Sequence, residues 1–234
     1  MDALADDTTA AEAARYALLR RLGPALKHDL VVNLQAVAMM TEVLGARLER
    51  AGSGGPAVLA ELQQQVARIH RVTREAVASS LKVAAWLTPA DEDEGIALQD
   101  GIEDGLALVR SHFGFRGIAL HAQAEGARLE VSRPQLRLLL LAALVLLGDE
   151  AGGPCALNVR GAAEAGEGLL VLERGPVPAP VPVPADDPGY RALSPADLRA
   201  LAAEAGVPLQ AAPGRIALRL PRLVATSPLK IAPM

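Results

Sequence analysis

Aromatic side chains are almost absent: two Phe, two Tyr and one Trp, 2% of 234 residues. With so few flat rings there is little to stack on nucleic-acid bases. The net charge of −4 implies no basic surface either, so nucleic acid is not an expected partner. The core must be built from Leu, Val and Ala, which favours helices. There is one cysteine, Cys155, which excludes an internal disulfide and a cysteine metal cluster and suits a reducing, cytoplasmic setting. The N-terminus, "MDALADDTTAAEAARYA", carries acids and no apolar h-region, so it does not read as a secretory signal. The most apolar run, "LRLLLLAALVLLG" (Leu136–Gly148), is interrupted by Arg137 and falls short of the roughly 20 residues a membrane helix needs. It reads as a buried helix, and no membrane association is expected.

What is present is helical periodicity followed by α/β alternation. Residues from about Ala10 to Ala51 read as helix, broken or kinked at Gly23-Pro24. Leu26, Leu30, Asn33, Val37, Met40 and Leu44 recur at alternating steps of four and three, a heptad-like seam. After the loop "AGSGGP" a second helix carries Leu59, Leu62, Val66, Ile69, Thr73, Ala76, Ser80, Val83 and Leu87 at the same steps. Both helices hold more apolar surface than one partner can cover, with Val31 and Leu34 widening the first stripe. The pattern predicts an antiparallel hairpin that pairs with a second copy as a dimeric four-helix bundle. The acidic stretch "TPADEDEG" reads as a linker. Beyond it the sequence predicts a helix at Leu98–Phe113 and strands at "GIALHAQ" and "RLEV". A helix at Ser132–Leu147 and strands at "CALNVRG" and "GLLVLERG" come next. After a proline-rich segment, Gly175–Gly189, Ser194 is expected to N-cap a helix that starts at Pro195 and stops at Gly206. "VPLQAA" and "RIALRLPR" close the chain as strands. The expected second domain is an α/β sandwich, one sheet with helices on one face.

The stretch "LKHDLVVNLQAV" places His28 and Asp29 side by side on the first helix. The run "HDLVVNLQAV" on a helical hairpin, followed by this α/β order, resembles the dimerisation and ATPase core of bacterial sensor histidine kinases. The resemblance implies a fold of class α+β: a hairpin dimerisation and phosphotransfer domain at 10–88, then an ATPase-like α/β domain at 96–222. The matching nucleotide motifs are missing. Where kinases carry a Mg²⁺-holding asparagine, "LLLAALVLLGDEA" is apolar up to Gly148. Where they carry an aspartate and glycines that read adenine, "ERGPVPAPV" has Glu173, Gly175 and prolines. Where a glycine-rich loop cradles phosphates, "DDPGYRALSP" has aspartates. The combination resembles the dimeric histidine phosphotransferases of bacterial phosphorelays, of which the ChpT-like proteins are one group. These keep the histidine and have a degenerate ATPase-like domain.

That resemblance implies that His28 takes a phosphoryl group from the aspartate of one response-regulator receiver domain and passes it to another, with no ATP and no resident cofactor. Mg²⁺ is expected to arrive with the receiver. A hybrid histidine kinase is a further candidate partner. An imidazole nitrogen offers a lone pair near neutral pH, and positioning and charge neutralisation do most of the rest. Asp29 is implied to bond one ring nitrogen and leave the other as nucleophile.

His28 lies two residues from Leu30, about 200° around a helix, so it points away from the seam. Arg21, Val32, Gln35 and Met39 follow its face. Val32 and Met39 form either a docking patch or, in a wider bundle, part of the core. Counting back from the hairpin turn brings Ser79 and Lys82 level with His28. Lys27, Arg21 and Lys82 are the cations expected to offset phosphoryl charge. Position 32 is Val, without the Thr or Asn that orients a hydrolytic water in related phosphatases, so phosphatase activity is not expected. His70, His112 and His121 share no metal-ligand spacing and read as surface or sheet residues, and Glu173 with Gly175 as a strand end. The competing functional reading is a non-enzymatic pseudokinase scaffold that binds a histidine kinase or response regulator.

Overall fold

The computed structural model describes residues 2–51, 56–87, 94–124, 127–175 and 190–223. The loop at 52–55, most of the acidic linker and the proline-rich segment 176–189 lie outside them. Two long helices come first, α1 (Asp2–Ala51) and α2 (Pro56–Leu87). α1 is continuous through Pro24, where the sequence suggests a break. Over Thr8–Arg50 it is long and apolar enough, by composition alone, to cross a bilayer. A helix that pairs with other helices has the same composition.

The chain divides into two units: Gly23–Pro89, and Met1–Leu22 together with Ala90–Met234. The sequence-derived boundary assigns residues 10–22 to the hairpin. In the structure they belong to the α/β unit, because Ala11, Ala14, Ala17, Leu18 and Leu22 are all buried there.

In the hairpin unit the first seam is as the periodicity predicts. Leu26, Leu30, Asn33, Val37, Met40 and Leu44 are buried or half-buried, whereas Val31, Val32, Leu34 and Met39 are exposed. On α2 the covered positions are Leu62, Gln65, Ile69, Val72, Ala76 and Ser80. Leu59, Val66 and Thr73, predicted for the seam, are exposed. Residues advance by about 100° each, so these three lie to one side of the covered stripe. Near the hairpin's turn Arg47 pairs with Glu61.

The α/β unit follows the predicted order. β1 (Gly95–Ala97) is a short strand the sequence does not announce; it pairs antiparallel with β3 (Glu130–Ser132). α3 (Leu98–Phe115) leads into β2 (Ala119–Gln123), and α4 (Arg133–Ala151) follows β3 and leads into the hairpin of β4 (Ala156–Glu164) and β5 (Glu167–Arg174). α5 (Pro195–Glu204), β6 (Leu209–Ala212) and β7 (Arg215–Leu220) complete it. The main sheet has strand order β2-β4-β5-β7-β6, with β2 parallel to β4 and the other pairs antiparallel. One face presents Leu157, Val159, Leu170, Leu172, Ile216 and Leu218, all buried. The opposite face carries Arg160, Glu173 and Arg215, with Glu173 paired to both arginines at 2.5 and 2.8 Å.

α3 packs closely on α4 because α3 offers glycine where α4 offers leucine. A Cβ on Gly105 would stand 2.6 Å from Leu140 Cδ2, and one on Gly101 would collide with Leu136. α5 begins as predicted: Ser194 Oγ accepts from the Asp197 N–H, and Asp197 Oδ2 accepts from the Ser194 N–H, a reciprocal cap. β4 turns into β5 through Ala165 and Gly166, both at positive φ, as a two-residue hairpin turn requires.

Candidate functional site

His28 is placed by α1, one turn past Pro24. Its side chain is 51% exposed, and its Nδ1 lies 3.3 Å from Asp29 Oδ1. Successive residues on a helix do not normally face each other, so this contact needs both side chains to bend toward one another. It is at the long end for a hydrogen bond. A carboxylate at Nδ1 favours the tautomer with its proton there, which leaves the lone pair on Nε2.

Around the ring, Lys27 is exposed and Asp29 half-buried. Val32, Gln35 and Met39 are exposed on the same face, Met39 at 60%. Of the two readings for Val32 and Met39, core or open patch, the single chain has the open one. Val43, also exposed, continues the stripe one turn further. Its signal in the sequence is its place four residues on from Met39. Ser79 and Lys82 belong to α2, but their side chains lie outside the described residues. On α2, Val77 and Leu81 are exposed apolar residues at about that level.

Arg21 is corrected. The sequence places it on the docking patch, as a cation for the phosphoryl group. It is 5% exposed and its guanidinium pairs with Asp149 at the end of α4, where Arg116 joins at 2.9 Å. Its place on His28's helix face, two turns away, is right; that face is covered at Arg21. His112 is a second correction. It is buried on α3 with its ring edge-on to Phe113. His70 and His121 are exposed on α2 and β2.

In the stretches where the sequence lacks nucleotide motifs, the described residues make other contacts. The Leu139–Gly148 stretch of α4 is entirely buried. Glu173 is held between two arginines on the outer sheet face. Ahead of α5, Arg191 makes a bidentate pair with Asp197 at 2.8 Å and donates to the carbonyl of Ala13. The Arg191 guanidinium holds the Asp197 carboxyl down at about 2. Burial pushes the Cys155 thiol up, which leaves it an unreactive core side chain. Among the described residues no three His, Cys, Asp or Glu side chains converge on one point.

No family model matches the chain, and no curated protein does. Solved structures similar to it include the Acinetobacter baumannii histidine kinase AdeS, at 11% identity over 80% of this chain and 97% of that one, with a TM-score of 0.39. A bacterial phosphotransferase matches at 18% identity over 87% and 95%, with a TM-score of 0.39. The Erythrobacter litoralis blue-light activated histidine kinase EL346 matches at 18% over 69% and 57%, with a TM-score of 0.42. All three scores are below 0.5, so they do not establish the family.

Proposed function

We propose that this chain is a phosphorelay histidine phosphotransferase that moves a phosphoryl group between receiver-domain aspartates through His28, without ATP. The observation that carries the reading is the half-exposed imidazole, with Nδ1 against Asp29, on a paired helical hairpin and in an H-D-L context. In the step itself, a bond forms from Nε2 to the phosphorus of the receiver's aspartyl phosphate as the carboxyl oxygen–phosphorus bond breaks. The receiver's carboxylate leaves with the electron pair. Asp29 keeps the Nδ1 proton and offsets the positive charge the ring acquires. Mg²⁺ comes with the receiver. Lys27, exposed and next to His28 in the chain, is a cation for the phosphoryl group, and Val32, Gln35 and Met39 supply the docking face.

A cytoplasmic homodimer is part of this reading. Val31, Leu34 and Leu48 on α1 and Leu59, Val66, Val77 and Leu81 on α2 are exposed. By helical phase both sets lie on the same side of the hairpin. Near the turn that side holds a groove of about 560 Å³, lined by Leu48, Leu59, Leu62, Val66, His70 and Arg74. A second hairpin is the occupant that suits a face of this length.

The test is to incubate the full chain with a panel of Mg²⁺-loaded, radiolabelled phospho-receivers. The expected result is acid-labile label on the chain, none on His28→Ala, and at least tenfold slower labelling of Asp29→Asn. Label that never reaches the chain, or that still reaches His28→Ala, refutes phosphotransfer. If a receiver binds the chain but never labels it, the scaffold reading takes its place.

A further inference from the structure

α1 carries two different attachments. Its residues from Gly23 onward belong to the hairpin, whereas residues 11–22 bury one stripe in the α/β unit. Residues 11–22 are an arm held by few large side chains. Three alanines, Ala11, Ala14 and Ala17, make up much of its buried stripe, with only Leu18 and Leu22 adding bulk. The remaining hold is polar. Arg15 pairs with Glu204 of α5 at 2.5 Å, and Arg21 with Asp149 of α4. The Ala13 carbonyl accepts from Arg191, while Tyr16 and Arg20 pack on Tyr190. Both tyrosines of the chain are therefore spent on this one junction.

The buried ion pair is incompletely satisfied. Among the described residues, Arg21 Nε and Asp149 Oδ2 have no hydrogen-bond partner. A buried polar group without a partner weakens the contact it belongs to. The arm ends at Leu22, and the next two residues are Gly23 and Pro24. Pro24 has no N–H to give the Arg20 carbonyl. Gly23 is not required by packing, since a Cβ there would meet nothing within 4 Å. Two helix-weakening residues thus stand at the boundary between the units, Gly23 with open space around it and Pro24 exposed.

We propose that residues 11–22 are a releasable strap: an intramolecular ligand of the α/β unit that detaches as one segment, hinged at Gly23-Pro24 and latched by Arg21 on Asp149. The latch sits two turns before His28 on one continuous helix, so strap release alters the segment that leads into it. Released, the arm is a short isolated helix end that frays in water. Arg116 also pairs with Asp149, at 2.9 Å, so the carboxylate has a second cation to keep when Arg21 leaves, and release is separable from unfolding.

Hydrogen exchange by mass spectrometry on the full chain tests this without reference to phosphotransfer. In the wild type, amides of 11–22 are expected to exchange at least tenfold faster than those of β5 and β7. Arg21→Met should speed the arm a further tenfold and leave α4, β5 and β7 unchanged. Gly23→Ala and Pro24→Ala should slow arm exchange several-fold by stiffening the hinge. If the arm and the sheet exchange at one rate, the arm is an inseparable part of the core and the strap is refuted. Loss of protection throughout the α/β unit in Arg21→Met refutes it equally, and an arm indifferent to both hinge variants removes the hinge.

Discussion

Asp197 brings several kinds of interaction together in one side chain. It closes the N-terminal cap of α5 with Ser194 and accepts both arms of the Arg191 guanidinium. Its carboxyl titrates at about 2, below the 3.8 of an unperturbed aspartate, chiefly through the Arg191 hydrogen bonds. A depressed carboxyl stabilises the folded state above its unfolded pKa, and that contribution disappears as pH falls from about 4 to about 2. Arg191 is partly in water, which screens the pair, so about 1–2 kcal/mol is expected. Asp197→Asn should lower stability by that amount at pH 7 and flatten the acid limb between pH 4 and 2, measured by urea unfolding across pH. An unchanged acid limb would show that the pair contributes nothing. Arg21 carries the opposite lesson at the same scale. Its helix phase relative to His28 was legible, but its burial was not, because Asp149 lies 128 positions further along the chain.

Among the elements, α3 and α4 show how small residues set a helix–helix distance. Gly105 faces Leu140, and the facing pair leaves no room for a branched side chain. Gly105→Val is expected to cost about 1–3 kcal/mol through overpacking, read as a lowered midpoint in thermal or urea unfolding of the α/β unit. A neutral result would mean that α3 slides without penalty. Most elements were legible because their signals are local. Ser194-Pro195 before a 3.6-period run marks α5, and Leu136–Gly148 is apolar enough to be α4 whatever surrounds it. β1 was not legible: three residues at the edge of an acidic stretch become a strand only because β3 lies beside them. The second seam was half legible: Leu62, Ile69, Ala76 and Ser80 are covered as the spacing predicts, whereas Leu59, Val66 and Thr73 fit the same heptad but are exposed.

For the molecule as a whole, the exposed face formed by Leu34, Leu59, Val66 and Leu81 is the feature a single chain leaves unresolved. Leu34→Asp with Val66→Asp should turn a dimer into a monomer in sedimentation velocity at micromolar concentration. Val32→Asp with Met39→Asp, on the opposite face, should keep the dimer and abolish transfer from phospho-receivers. A wild-type chain that sediments as a monomer would overturn the four-helix bundle. Taken alone, the sequence determined most of the helices and strands, β1 excepted, and which histidine lies beside a carboxylate with apolar neighbours on its face. Those follow from spacing, caps and composition within a few turns. Only the tertiary structure decided which parts of a helix face are open and which are sealed. Exposure at one residue depends on what distant segments bring against it, as Asp149 does at Arg21, while His28, two turns on, stays half in water.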